Sequence, residues 1–409
     1  MTKPQFTLIP SAYNTSKVYS VLPVNGDGDF TFSRTGDGTR VKENGLIETI
    51  VGSNNPRLNW SGECPSLLLE GTSTNLQIRS EEFDNAAWTK TFITVTANDT
   101  ISPDGTESAD KLQRTNTAAS YIYDAITIGF GAKTYTNSIF VKKGEGSFLA
   151  IRARGSGAWV DLRFNFLTKQ IISYTATSIF TAISSKVEEF DNGWFRIYFT
   201  YTTDGYNILT HSYSPRFTQG DIDDTDVNNN ANCYIWGSQV EEQIYGSSYI
   251  KTEDGIATRN QDFCTDGGDA DLFNITEGSF FVDVLPYNAG LVSTISLSNN
   301  STSQRILIQF QSNGTQVRLF SSGGVSNYQT ITFNQRNKIL VTFKLNEYKF
   351  YINGALVSTD TIATVPTGLD RVNFSNSTAN SDFFQGEVND TRVYDKVLTE
   401  VEAIKLTTI

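Results

Sequence analysis

An all-β chain, with two consecutive antiparallel β-sandwiches behind a β-rich N-terminal region, is predicted by three observations. The first is composition: aromatic residues make up 12% of the 409 residues, with 27 Phe and 18 Tyr against one Met, a balance that favours strands over helices. The second is period-two alternation. Leu149, Ile151 and Ala153 alternate with Ala150, Arg152 and Arg154, and Val160, Leu162, Phe164 and Phe166 alternate with Trp159, Asp161, Arg163 and Asn165. Phe195, Ile197, Phe199 and Tyr201 alternate in the same way with Trp194, Arg196, Tyr198 and Thr200. Such alternation marks antiparallel strands buried on one face. The third is that Gly, Asn and Asp turns join these strands with no helical pattern between them, the arrangement of two packed sheets.

Residues 1–79 contain short β-like pieces at 30–32 and 46–50, between turn signals at 25–28, 35–38 and 43–45. Pieces this short cannot build a core, because isolated hairpins are only marginally stable in water. They are expected to fold onto the next domain or to form an attachment arm that docks onto a larger assembly. Residues 80–264 are expected to form the first sandwich, closed by the strand 234–240, and residues 265–409 the second. In the latter, strand-like runs at 280–285, 305–310, 316–320 and 338–344 precede a hairpin around Asn353-Gly354. Thr399 followed by Glu402 is a capping-box signature, so one short helix is expected near the end.

The net charge of -12 and pI near 4.7, with no basic cluster larger than Lys142-Lys143, oppose nucleic-acid binding. Cys64, Cys233 and Cys264 form an odd set without CxxC spacing, which indicates buried free thiols and neither a disulfide framework nor a zinc site. The N-terminal residues lack an apolar signal region, and no run approaches the roughly 18 to 20 apolar residues of a membrane span. A soluble chain without a secretory signal, and no membrane partner, is the expectation.

No catalytic residue is assigned, and the chain is read as a non-enzyme. The single histidine, His211, would have to carry any Ser-His-Asp or Cys-His arrangement alone, and a lone His is usually structural. Glycosidase chemistry needs two carboxylates on one side of a strand. Glu387 and Asp390 are three apart and are expected to face opposite ways, and the pairs Glu188-Glu189 and Glu241-Glu242 are adjacent. A pair contributed by different strands stays open.

The loop carrying Asp221, Asp223, Asp224 and Asp226 offers alternating oxygen ligands and is a candidate structural calcium site, weighed against a merely solvated acidic loop. Sugar binding needs exposed aromatic faces beside planar hydrogen-bonding groups. Trp159 falls on the polar side of its strand with Arg163, while Arg152 and Arg154 share a nearby polar side, so these four are the candidate glycan-binding residues. The alternative is that Trp159 packs under a loop or against a neighbouring subunit. Trp88, Trp194 and Trp236 are expected in the core.

A family resemblance runs through the chain in order. DFTFSRTGDGTRVKENGLIETI (29–50), NPRLNW (55–60), PSLLLEGTSTNL (65–76) and SEEFDNAAWTK (80–90) open it. Pro103-Asp104-Gly105 with 109–112, DNGWFR (191–196), IWGSQVE (235–241), YIKT (249–252) and Thr258-Arg259 complete it. These pieces resemble tailed-bacteriophage head-fibre, head-spike and tail-fibre proteins that carry a carbohydrate-binding-module-like jelly roll. One departure lies at 71–75, where such proteins commonly place an Arg before Thr-Asn, so a contact made by that Arg is in doubt. The order of strand, Tyr-x-Asn-Gly hairpin and final strand with helical turn in 265–409 resembles the laminin-G-like, concanavalin-type lectin fold. The resemblances imply a virion structural protein, made in the host cytoplasm, that is a homotrimer and adheres to host-surface polysaccharide or to neighbouring capsid or tail subunits. The alternatives are a polysaccharide depolymerase and a purely architectural decoration protein.

Overall fold

The computed structural model describes residues 2–409 apart from Ser178, Tyr206, 274–275 and 378–380. Strands hold 49% of the residues and helix 3%, so the all-β expectation stands. The chain divides into two compact units that do not follow the three-part division expected from sequence.

One unit comprises residues 73–259 with the short piece 44–48. It contains two six-stranded antiparallel sheets. The first runs in the order Thr89–Thr91, Tyr121–Thr127, Ile208–Arg216, Phe148–Arg154, Trp159–Asn165 and Gln170–Ala176. The second runs Ile93–Ile101, Glu107–Arg114, Asn232–Glu241, Lys133–Lys143, Trp194–Thr203 and Thr181–Glu189. The alternation dictates the packing: Leu149, Ile151, Val160, Leu162 and Phe164 of the first sheet meet Ile139, Val141, Ile197, Phe199 and Ile235 of the second in one apolar core.

The strand Trp194–Thr203 departs from its half-buried expectation, because Trp194, Arg196, Tyr198 and Thr200 are buried as well. A second apolar cluster of Ile47, Ala109, Phe140, Trp194, Trp236 and Tyr249 covers the outer side of that sheet. Period-two alternation reports the main core but not a satellite cluster assembled from distant loops. Trp88 lies in the main core and Trp194 and Trp236 in the satellite. Gly237 sits where the register of Lys133–Lys143 on Asn232–Glu241 slips, with φ +63°, and a Cβ there would meet the Phe140 ring at 2.9 Å. Both the positive φ and the close ring require glycine at this bulge.

The other unit gathers residues 1–43, 49–72 and 260–409. The strand Gly386–Tyr394 is its seam. It pairs with Gly278–Pro286 on one edge, and on the other edge with both Phe6–Leu8 and Ser66–Leu69. Ala355–Asp360, Glu347–Ile352, Asn337–Lys344 and Leu58–Asn59 complete this eight-stranded sheet. Val325–Thr330, Gln316–Ser321, Arg305–Phe310, Ser293–Ser298 and Arg371–Asn373 form a five-stranded sheet. Their shared core takes in Phe6, Leu8, Phe30, Phe32, Leu67 and Leu69 together with Phe280, Ile295, Ile308 and Val341.

Of the N-terminal residues, 44–48 join the 73–259 unit, as a hairpin folded onto the next domain would, and the rest up to 72 belong with 260–409. Phe6–Leu8 and Ser66–Leu69 pair with Gly386–Tyr394, hundreds of residues away, which local periodicity cannot register. The Asn353-Gly354 turn, with both φ angles positive, joins its two strands as expected. Helix Glu400–Thr407 starts with the expected capping box between Thr399 and Glu402.

Three motif residues of the opening stretches, Arg34, Arg57 and Glu70, converge with Asp262 in this unit. Arg34 Nη1 donates to Asp262 Oδ1 at 2.9 Å, and Arg57 Nη1 donates to Glu70 at 2.7 Å. Arg57 Nη2 reaches the second Asp262 oxygen, and the Glu70 amide donates to that same oxygen at 2.9 Å. All four side chains are fully buried or nearly so. A Cβ on Gly38 would meet Arg57 at 3.1 Å and Arg34 at 3.2 Å, so the cluster needs glycine beside it. Cys233 and Cys264 are buried free thiols, whereas Cys64 is exposed, contrary to expectation, in a turn-rich stretch.

Candidate functional site

The outer face of the first six-stranded sheet carries every residue that does not point into the core. Cross-strand register aligns them in rows: Tyr123 faces Ser212, Ser212 faces Arg152, and Arg152 faces Asp161. One step along, Thr210 faces Arg154, which faces Trp159. The middle strand of the row thus offers only small side chains, Thr210 and Ser212, between larger ones on either side. A cleft of about 400 Å³ results. Tyr121 and Tyr123 border it on one side and Arg152 and Arg154 on the other, with Ile222 and Asp223 of the acidic loop completing the lining. The tyrosine rings are half-buried, with centroids 5.9 Å apart.

Two of the four expected glycan-binding residues, Arg152 and Arg154, line this cleft, and Trp159 and Arg163 do not. Arg152 is held in place. Its Nε and Nη2 donate to the two oxygens of Asp161 at 2.6 and 2.7 Å, and its Nη1 donates to Asp223. Burial alone would lower the pKa of this guanidinium, but the hydrogen bonds and charges of Asp161 and Asp223 more than reverse that, so it stays charged. Trp159 serves Arg152, whose guanidinium carbon lies 5.0 Å from the ring centroid. Arg163 is taken by Asp221 through Nε at 2.8 Å and through Nη2. Arg154 is exposed, and among the described residues no carboxylate pairs with it.

The four aspartates do not converge on a cation. Among the described residues no group of three or more His, Cys, Asp or Glu is placed to hold a metal ion. Asp221 and Asp223 are turned to arginines, and the Asp224 carboxylate accepts the Asp221 amide at 2.8 Å. Burial would raise the Asp226 pKa, but the amides of Phe217 and Val227 and the Thr218 hydroxyl hold it below the usual carboxylate range. Arg216 sits inside the loop and donates to the carbonyls of Asp221, Asp224 and Thr225 at 2.8 to 3.0 Å. Guanidinium groups and amides therefore do the organising expected of calcium.

Other candidate chemistry is also accounted for. His211 is fully buried, bonded through Nε2 to the Tyr201 hydroxyl at 2.6 Å, and burial lowers its pKa to about 3. The expectation that Glu387 and Asp390 face opposite ways is overturned. A register slip between Asp283 and Val284 leaves Glu387 opposite Leu285 and Asp390 opposite Asp283, so both lie on the outer face of the sheet. Neither is unengaged: Arg392 grips Asp390, Arg336 grips Asp283, and Glu387 accepts from Asn59, Ser61, Ser66 and Tyr287. At the departure in 71–75, Ser73 stands before Thr74-Asn75, and its hydroxyl donates to the buried Glu241.

Sequence reasoning missed Tyr121 and Tyr123. The signal was present, since Ile122 and Ile126 alternate with them and belong to the core.

No curated protein matches the chain. Among solved structures, the sialidase CBM40 of Ruminococcus gnavus bound to alpha2,3 sialyllactose is similar at 16% identity and a TM-score of 0.30, covering 34% of this chain and 86% of its own. Domain 4 of AbnA, an arabinanase of Geobacillus stearothermophilus in complex with arabinotriose, is similar at 20% identity and a TM-score of 0.31, covering 40% and 82%. Domains LG4-5 of the mouse laminin alpha1 chain are similar at 8% identity and a TM-score of 0.24, covering 69% and 88%. Scores this low do not bear on function. Residues 280–403 match the family profile of the concanavalin A-like lectin/glucanases superfamily, in agreement with the lectin-type fold expected for that part of the chain.

Proposed function

We propose that the chain is an adhesion protein that binds saccharides in the cleft between Tyr121, Tyr123, Arg152 and Arg154. The carrying observation is the cleft itself: half-exposed tyrosine rings for the apolar face of a sugar, and Thr210, Ser212 and guanidinium groups within reach of its hydroxyls. The ordered motifs of residues 29–264, similar to those of tailed-phage fibre and spike proteins, favour a place on a bacteriophage head or tail, as a homotrimer that contacts host-surface polysaccharide or neighbouring virion subunits.

The test is an oligosaccharide array probed with the purified protein, followed by incubation of the bound glycans and search for new reducing ends. Saturable binding without products supports adhesion. Products identify a depolymerase, and absence of binding to every glycan leaves an architectural role. Light scattering that returns the mass of one chain contradicts the trimer.

A further inference from the structure

We propose that the cleft selects saccharides bearing a ring carboxylate, and that Asp223 holds that carboxylate's place in the free protein. This rests on the reading of the cleft as a saccharide site. Around the cleft the cations are unequally satisfied. Arg152 receives both oxygens of Asp161, a buried strand residue, and still presents Nη1, which is met by Asp223. Arg163, farther along the sheet, is satisfied by Asp221. Arg154 is exposed in the cleft, and among the described residues it has no carboxylate partner, in a chain of net charge -12.

The two carboxylates on Arg152 differ in kind. Asp161 is fixed opposite Arg152 in the sheet register, whereas Asp223 comes from a loop and its side chain is 58% exposed. An ion pair so open to water is held weakly and exchanges readily for another anion. Arg152 and Arg154 are two residues apart on one strand face, about 7 Å at their Cα atoms, a span that their long side chains close around one carboxylate. A ligand carboxylate there takes Arg152 Nη1 from Asp223 and supplies Arg154 with its missing counter-charge, while the sugar ring lies toward Tyr121 and Tyr123. A neutral sugar does neither. Hexuronic and nonulosonic acids share the required chemistry.

The experiment is an array carrying neutral oligosaccharides beside members bearing glucuronate, galacturonate or N-acetylneuraminate, probed with the wild-type chain, Arg154→Gln and Asp223→Asn. Both substitutions replace exposed or half-exposed side chains and leave the Arg152–Asp161 pair in place. The expected result is binding confined to acidic members and weakened by added salt. Arg154→Gln should weaken it about tenfold or more, and Asp223→Asn should strengthen it several-fold. The acidic class that binds identifies the source of the carboxylate. Binding to neutral members alone, or an Arg154→Gln variant that binds as well as wild type, overturns carboxylate selection and leaves the cleft a saccharide site. Unchanged or weaker binding by Asp223→Asn overturns the placeholder role. No binding to any member overturns the saccharide reading as well.

Discussion

Arg152 and Arg154 lie on the same face of the same strand, yet one is locked between carboxylates and the other is exposed without one. Side-chain type and strand phase, the information a sequence offers, placed both on the polar face correctly. They could not distinguish them, because Asp161 and Asp223 come from a neighbouring strand and a distant loop. His211 is a residue whose environment leads to a measurable consequence. Burial lowers its pKa from an ordinary 6.5 to about 3, so the unfolded chain takes up a proton that the folded chain refuses. Its contribution to stability is complete above pH 6.5 and is lost as pH falls from there toward 3, by up to about 1.4 kcal/mol per pH unit. Asp110, raised to about 6 by burial, acts in the opposite direction, but it does so equally in wild type and variant. Urea unfolding between pH 6.5 and 4 should therefore show a shallower loss of stability for His211→Gln than for wild type. Parallel pH profiles would contradict the buried neutral imidazole.

The elements that sequence made legible are those whose partners are local or whose pattern is periodic. The alternating strands, the Asn353-Gly354 hairpin and the Thr399–Glu402 capping box all depend on residues within a few positions of one another. The acidic loop stayed open between a cation site and a solvated loop because alternating aspartates are equally suited to a cation and to arginines supplied from Phe148–Arg154, Trp159–Asn165 and Ile208–Arg216. The Glu387–Asp390 spacing was misread because a bulge breaks the period-two rule. Among the paired elements, the Arg34–Asp262–Arg57–Glu70 cluster ties three N-terminal segments to the stretch after residue 260. Removing one member of a buried ion network strands the others. Asp262→Asn should cost about 3 to 5 kcal/mol, seen as an earlier urea midpoint by circular dichroism. An unchanged midpoint would show that the cluster contributes no stability.

At the level of the molecule, the chain order and the structural order differ. Residues 1–72, apart from 44–48, belong with 260–409, and the strand Gly386–Tyr394 needs Phe6–Leu8 and Ser66–Leu69 along its edge. Phe6, Leu8, Leu67 and Leu69 are buried there, each contributing roughly 1.5 to 3 kcal/mol. A fragment of residues 265–409 should therefore fail to unfold cooperatively on heating, while residues 73–259 should melt in one sharp transition. A sharp transition for 265–409 alone would restore the three-part division. The proposed recognition surface is the outer face of the first six-stranded sheet of the 73–259 unit. Isothermal titration of the strongest-binding array oligosaccharide into wild type and the Tyr121→Ala/Tyr123→Ala double variant tests that placement most directly. The predicted result is an affinity lowered about tenfold or more in the double variant, with an unchanged melting temperature. Equal affinities would contradict it and move the binding site elsewhere on the chain.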